Sequence, residues 1–199
     1  EDTPPITHEY VWSEPDQAWT LTKGDGLTQD RKHVRWNEDR TRKTELQEIL
    51  DPKTGEVVRR IQRIYGKPFP NDGRMVLLSE IKNPGPEEER TERVYISDPN
   101  AAGYGHLKSV IYPDGNWHIY EYDKQGRRIR EYGPWLNQAP TTDVTKARVI
   151  HFSYKAPTGS FDTGHESARP RLILETIQGK EVTRTYHLYS ETEHWEIRC

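Results

Sequence analysis

Bulky apolar residues alternate with polar ones along much of the chain, and short turn signals separate the alternating runs. The clearest case is the stretch YPDGNWHIYEYDKQGRRIREYGP at residues 112–134, where the turn signals PDG and DKQG flank an alternating run. A period of two is typical of β-strands that bury one face. The pattern predicts an all-β fold of sequential antiparallel hairpins, in one twisted or curled sheet with little or no helix. The best-defined strands are predicted at 106–112, 116–123, 147–154, 171–178 and 182–189.

The turn residues of this stretch predict its backbone geometry. Pro113 presets φ for the second position of a type I turn, Asp114 suits the third position, and Gly115 can take the left-handed conformation that follows. Asp123 and Gly126 occupy the first and fourth positions of the next turn. These five residues are therefore predicted to have structural roles.

The type of turn fixes which residues face each other across the first hairpin. A three-residue loop with a bulge at Gly115 places Ile111 opposite Trp117. A two-residue Asp-Gly loop would instead place Tyr112 opposite Trp117. The proline favours the bulged form, and the two-residue form remains the alternative.

Several segments share one pattern of an apolar residue, two mostly polar residues and a second apolar or aromatic residue. Each is followed by a turn or loop and by a further run that carries aromatic residues. A hairpin of this size cannot bury its own apolar face, so neighbouring hairpins are expected to extend one sheet. The segments with this pattern are Leu46–Ile49, Leu78–Ile81, Leu107–Val110, Ile129–Tyr132 and Leu174–Ile177.

Residues 37–50, NEDRTRKTELQEIL, admit two interpretations. As a helix, Asn37 would cap the first turn, Leu46, Ile49 and Leu50 would share a face, and Asp51-Pro52 would end it. Agreement with the other hairpins makes residues 41–50 a strand, which we favour.

Composition indicates a folded chain with a thin apolar face. Only 32% of the residues are hydrophobic and 31% are charged, yet aromatic residues reach 10% and include six tryptophans. Because aliphatic side chains are scarce, most of these rings are expected in the core. Trp117 and Trp135 lie beside a turn or in a loop and are the expected exceptions. With Tyr120 and Tyr122, they are the candidate binding residues.

Charge and cysteine content argue against several classes of function. The net charge of −3 predicts no nucleic-acid binding. The single cysteine, Cys199, leaves no Cys-based zinc site, and neither a metal nor another cofactor is predicted. No apolar run is long enough to predict a membrane-spanning helix.

One loop brings together residue types that occur in hydrolases. Asp162, His165, Glu166 and Ser167 lie in a stretch rich in Gly, Ser and Pro. Members of a catalytic triad meet in space rather than in sequence, so their adjacency is weak support. We therefore predict no catalytic residue, and a hydrolase using residues 162–167 is the third hypothesis for function.

Residues 107–134 resemble the YD repeat of the Rhs family. The resemblance rests on Tyr112, the Pro-Asp-Gly turn and the element YEYDKQGR at residues 120–127, which matches Tyr-x-Tyr-Asp-x-x-Gly-Arg. The other hairpins carry no second YDxxGR element.

The resemblance implies consecutive hairpins that build a β shell in an exported or surface-associated bacterial protein. Residues 1–199 would then be a single hairpin-repeat domain or a fragment of a larger shell. Its expected role is a non-enzymatic structural or binding module, with a cargo or neighbouring domain of the same polypeptide as partner. The family is also linked to carbohydrate binding, so a glycan-binding module using exposed Trp and Tyr is the alternative. The expected location is extracellular, periplasmic or at the cell surface.

Overall fold

The regular secondary structure in the computed structural model consists of β-strands, which turns and loops connect. The structure describes residues 8–14, 18–23, 29–51, 53–70, 72–155, 169–189 and 192–199. No helix occurs among these residues, and paired strands are antiparallel and follow the order of the chain. The predicted all-β fold of sequential antiparallel hairpins is confirmed.

Two compact units divide the chain, Glu1–Arg93 and Val94–Cys199. In the first unit, Trp19 faces Lys32 across one pair of neighbouring strands, and Lys32 faces Gln47 across the next pair. The strands that begin in this unit are β1 (His8–Ser13), β2 (Ala18–Lys23), β3 (Gln29–Trp36), β4 (Arg42–Leu50), β5 (Val57–Gly66), β6 (Val76–Lys82) and β7 (Glu89–Tyr95).

The second unit contains all five strands that the sequence predicts most clearly, with bounds that agree to within about two residues. Its strands are β8 (Leu107–Ile111), β9 (Trp117–Tyr122), β10 (Arg128–Pro134), β11 (Ala147–Ser153), β12 (Leu172–Ile177), β13 (Lys180–Tyr189) and β14 (His194–Arg198). The five segments of shared pattern fall on alternate strands, namely β4, β6, β8, β10 and β12.

The ambiguous segment 37–50 forms a turn and a strand, so the helical interpretation is wrong. Asn37 does not cap a helix, because its side-chain oxygen accepts the backbone N–H of Arg42 at 2.7 Å and so closes a hairpin turn. Arg40 takes a positive φ of 54° within this turn. β4 then pairs with β3 over eight residues, from Trp36 opposite Lys43 to Gln29 opposite Leu50.

The loop between β8 and β9 has the bulged geometry. Ile111 pairs with Trp117, and Gly115 has a φ of 80°. The N–H of Gly115 donates to the carbonyl of Tyr112 at 3.0 Å, and Asp114 accepts the N–H of Asn116 at 3.0 Å. The two-residue alternative for this loop is therefore wrong.

The next turn is organised by the carboxylate of Asp123. One of its oxygens accepts the backbone N–H groups of Gln125 and Arg127, and the other accepts the Arg127 guanidinium at 2.7 Å. Burial alone would raise the pKa of Asp123, but these hydrogen bonds hold it below its ordinary value. Gly126 has a φ of 78°. Both aspartates thus shape the backbone, as the sequence predicts.

The core of the second unit forms around Trp117, which is only 1% exposed. Ile119, Tyr132 and Val149 lie side by side on the same sheet face as Trp117, because they pair in register across β9, β10 and β11. Ala147 completes this cluster. The expectation that Trp117 is exposed is wrong.

Buried charges accompany the small apolar core of the first unit. Glu48 is 8% exposed, and its carboxylate accepts the Arg60 guanidinium at 2.9 Å and lies 3.4 Å from the His33 ring. Burial alone would raise the pKa of Glu48, but the hydrogen bonds from Arg60 and His33 hold it below its ordinary value of 4.5. Glu48 therefore stabilises the fold in its charged form.

We expect the substitution Glu48→Gln to destabilise the protein by about 1–3 kcal/mol at pH 7, because this buried carboxylate loses the charge that strengthens its hydrogen bond with Arg60. The pKa of Glu48 is lower in the folded state than in the unfolded state. Its contribution to the free energy of unfolding is therefore complete above pH 4.5 and is lost as the pH falls through the folded-state pKa. Urea denaturation at pH 7 and pH 3 measures this effect. The control is Glu92→Gln, at an exposed position of β7, and an equal loss in both variants would contradict the assignment.

Candidate functional site

Four of the six tryptophans are exposed, which corrects the expectation that most of them form the core. They are Trp12, Trp19, Trp36 and Trp195. For two of them the strand register shows the physical reason, since Trp19 faces Lys32 and Trp36 faces Lys43. The rings of Trp19 and Trp36 therefore lie beside lysine side chains on the sheet surface.

Three of these tryptophans share one face of the first unit. Trp12 pairs with Trp19 across β1 and β2, and their ring centroids are 5.3 Å apart. Successive side chains of a strand alternate between faces, so Tyr10 lies on the face of Trp12. The same argument places Val34 and Trp36 on the face of Lys32, which pairs with Trp19. We call this set, Tyr10, Trp12, Trp19, Val34 and Trp36, the aromatic face.

A cavity of about 520 Å³ opens on the aromatic face. Tyr10, Trp19 and Val34 supply its apolar lining, and the rings of Tyr10 and Trp19 are 62% and 45% exposed. Asp30, Lys32 and Gln47 supply its polar lining. The cavity therefore combines ring surfaces with hydrogen-bonding groups of three kinds.

A row of hydrogen bonds across the strands orients the polar groups of the cavity. The amide nitrogen of Gln47 donates to Asp30 at 2.8 Å, and its amide oxygen accepts from Arg63 at 3.0 Å. Arg63 in turn donates to Glu80 at 2.8 Å. Because both ends of the Gln47 amide are engaged, its orientation is fixed and the 6% exposed Asp30 carboxylate is held in place.

A second polar row lies beside the first and balances the charge of Lys32. The Glu45 carboxylate lies 3.0 Å from the Lys32 ammonium and 2.7 Å from that of Lys43. Burial alone would raise the pKa of Glu45, but the two lysines hold it below its ordinary value. Lys43 also lies over the rings of Tyr65 and Trp36, at 4.4 and 5.9 Å. The charged side chains in and beside the cavity thus include both signs, with neither in strong excess.

The structure does not bring the four predicted binding residues together. Trp117 is buried in the core on one face of β9, whereas Tyr120 and Tyr122 point to the opposite face. Trp135 is partly buried in the loop after β10. The two tyrosines line a second cavity of about 550 Å³, together with Lys108 and other residues.

Both tyrosines of this second cavity are engaged within the protein. The Tyr122 hydroxyl donates to the carbonyl of Leu107 at 2.8 Å, and its ring stacks on His106 at 4.9 Å. The Arg128 guanidinium covers the Tyr120 ring at 4.4 Å. Burial and then the nearby Glu131 raise the pKa of Tyr120 to about 12, so it stays uncharged at physiological pH. Less ring surface is therefore offered here than on the aromatic face.

Sequence reasoning missed the residues of the first cavity. Tyr10 and Trp12 are two residues apart in one strand, which indicates that they share a sheet face. The other residues that line the cavity belong to other strands. Asp30 and Gln47 are 17 residues apart in the chain, and only the pairing of β3 with β4 brings them together. The candidate hydrolase residues 162–167 lie outside the described residues.

Comparisons with known proteins leave the site to be interpreted from its own chemistry. No protein-family model matches the chain, and a search of curated proteins gives no significant match. Within the part of the chain that the structure describes, no three or more His, Cys, Asp or Glu side chains are grouped to hold a metal ion. The described residues also include no helix of the length and apolarity that crossing a membrane requires.

Proposed function

We propose that the protein is a non-enzymatic binding module that takes a carbohydrate on the aromatic face of its first unit. The observation that carries this proposal is the cavity in which the exposed rings of Tyr10 and Trp19 adjoin the anchored Asp30 and Gln47. A patch of exposed aromatic rings on a sheet with little apolar core is otherwise unfavourable, and such patches mark interaction sites.

The chemistry of a sugar matches both parts of this cavity. The C–H faces of a pyranose ring are apolar and stack on aromatic rings, whose faces carry partial negative charge. The hydroxyl groups at the ring edge donate to a carboxylate and exchange hydrogen bonds with an amide. Trp19 would thus provide the stacking platform, while Asp30 and Gln47 would select among hydroxyl arrangements.

The protein is further proposed to be a YD-type segment of an exported bacterial protein. Support comes from hairpins that follow the order of the chain, from the shared segments on alternate strands, and from the turn that Asp123 and Gly126 form. In that setting a neighbouring domain of the same polypeptide is the second partner, and a location outside the cytoplasm follows from the family resemblance.

A glycan array tests the proposal with three proteins: wild type, Trp19→Ala and Trp195→Ala. Both tryptophans are exposed to the same degree, but Trp195 lies in β14 of the second unit and so serves as the matched control. We expect wild type and Trp195→Ala to bind the same glycans. Trp19→Ala should lose at least about tenfold in affinity, about 1.4 kcal/mol. An array without any binder, or an equal loss in both variants, would refute the proposal.

A further inference from the structure

A pair of histidines lies across the last two strands of the second unit. His187 is on β13 and His194 on β14, and the register places Tyr189 opposite His194 and Glu196 opposite His187. All four side chains lie on one face of the sheet, because each pair on a strand is two residues apart. The Nδ1 atom of His187 is 3.0 Å from the Nε2 atom of His194.

This separation suits two ligands of one metal ion. Imidazole nitrogens bind transition metals at about 2.0–2.1 Å, so two of them on one ion lie about 3 Å apart. The ring of Tyr189 stacks on His194 with centroids 4.6 Å apart and an angle of 5° between the planes, which fixes the orientation of that imidazole. The backbone N–H of His187 donates to the carbonyl of Arg171 at 2.9 Å and holds its position in the strand.

One acidic side chain lies beside the histidine pair on the same sheet face. An uncharged imidazole has a lone pair available for a metal. Glu196 adds negative charge beside the pair, and its own carboxylate is held by Arg198 at 3.0 Å.

We propose that His187 and His194 form a binding site for a divalent transition-metal ion of the class that prefers nitrogen ligands, such as Zn²⁺, Ni²⁺ or Cu²⁺. Water supplies the remaining coordination positions, so the site is weaker than a structural zinc site with four protein ligands. A bound ion links β13 to β14 and therefore stabilises this end of the second unit by mass action.

Isothermal titration calorimetry with Zn²⁺ at pH 7.5 tests the site. All proteins carry Cys199→Ser, which removes the exposed thiol as a competing ligand. The variants are His187→Asn, His194→Asn and the control His106→Asn, whose imidazole also stacks on a tyrosine but has no histidine partner in the described part of the chain. We expect one Zn²⁺ per chain, a loss of affinity of at least about tenfold in the first two variants and no change in the control.

Thermal unfolding with and without Zn²⁺ provides the second readout. Zn²⁺ should raise the unfolding temperature of wild type and His106→Asn but not of His194→Asn, a substitution at an exposed position of β14. Binding that is equally tight in wild type and His194→Asn would overturn the proposal, as would a wild-type protein that takes up no Zn²⁺.

Discussion

Replacing Trp117 by alanine is expected to destabilise the protein by about 3–5 kcal/mol, the range for a large aromatic side chain removed from a core. Its ring is 1% exposed and packs with Tyr132, Ala147 and Val149. Its indole N–H donates to the carbonyl of Gln138 at 2.7 Å, so the substitution also leaves a carbonyl without its partner. Urea denaturation monitored by circular dichroism measures the loss.

Trp195→Ala is the matched control for this prediction. The Trp195 side chain is 44% exposed, and exposed substitutions usually change stability by less than about 0.5 kcal/mol. We expect a large difference between the two variants. Comparable stabilities would mean that Trp117 is not the centre of the core.

Gly103→Ala is expected to destabilise the protein by about 2–4 kcal/mol. Gly103 has a φ of 76°, and a Cβ at this position would lie 2.7 Å from the Cβ, Cγ and Cδ2 atoms of Tyr122. The contact involves the base of that side chain, so a rotamer change of the ring cannot relieve it. The loop would have to move away from β9.

Gly115→Ala is the control that measures how much of the loss in stability comes from backbone strain alone, without a steric clash. Gly115 has a φ of 80°, but a Cβ there would meet no atom within 4 Å. Its substitution should therefore cost only the strain of a left-handed alanine, about 1–2 kcal/mol. If the two glycine variants have equal free energies of unfolding in urea, the close approach of residue 103 to Tyr122 is not a constraint.

The fold could be predicted from sequence wherever the determining interactions are local. The Pro113-Asp114-Gly115 loop and the Asp123 turn involve hydrogen bonds between residues at most four apart. Both turns were predicted, and the bulged register favoured for the first is the one observed. The strand pattern was likewise predicted well in the second unit. Turn chemistry and a period of two are properties of short segments.

Burial could not be predicted in the same way, because it depends on contacts between distant residues. Trp117 lies beside a turn and was expected to be exposed, yet Gln138, 21 residues further along, accepts its indole N–H. Conversely, Trp19 and Trp36 remain exposed because their cross-strand neighbours are lysines. Scarcity of aliphatic residues was therefore a poor guide to which rings form the core.

Predicting the candidate site likewise requires knowing which strands pair. Tyr120 and Tyr122 were recognised as neighbours on one strand, and they do line a cavity, but their rings are engaged by His106 and Arg128. The cavity on the aromatic face needs Tyr10, Asp30 and Gln47 from three strands. Its polar side chains are held together by the row of hydrogen bonds that runs across the strands from Asp30 to Glu80.

The indole N–H signals of the six tryptophans offer the most direct test of the central proposal. They can be followed by ¹H–¹⁵N NMR during titration with a glycan that binds on the array, and each is assigned from a single Trp variant. The aromatic face predicts that Trp19 and Trp12 shift in a saturable manner, while Trp117 in the core and Trp195 in the second unit do not. Shifts confined to Trp195 or Trp135, with Trp12 and Trp19 unchanged, would contradict the proposed binding surface.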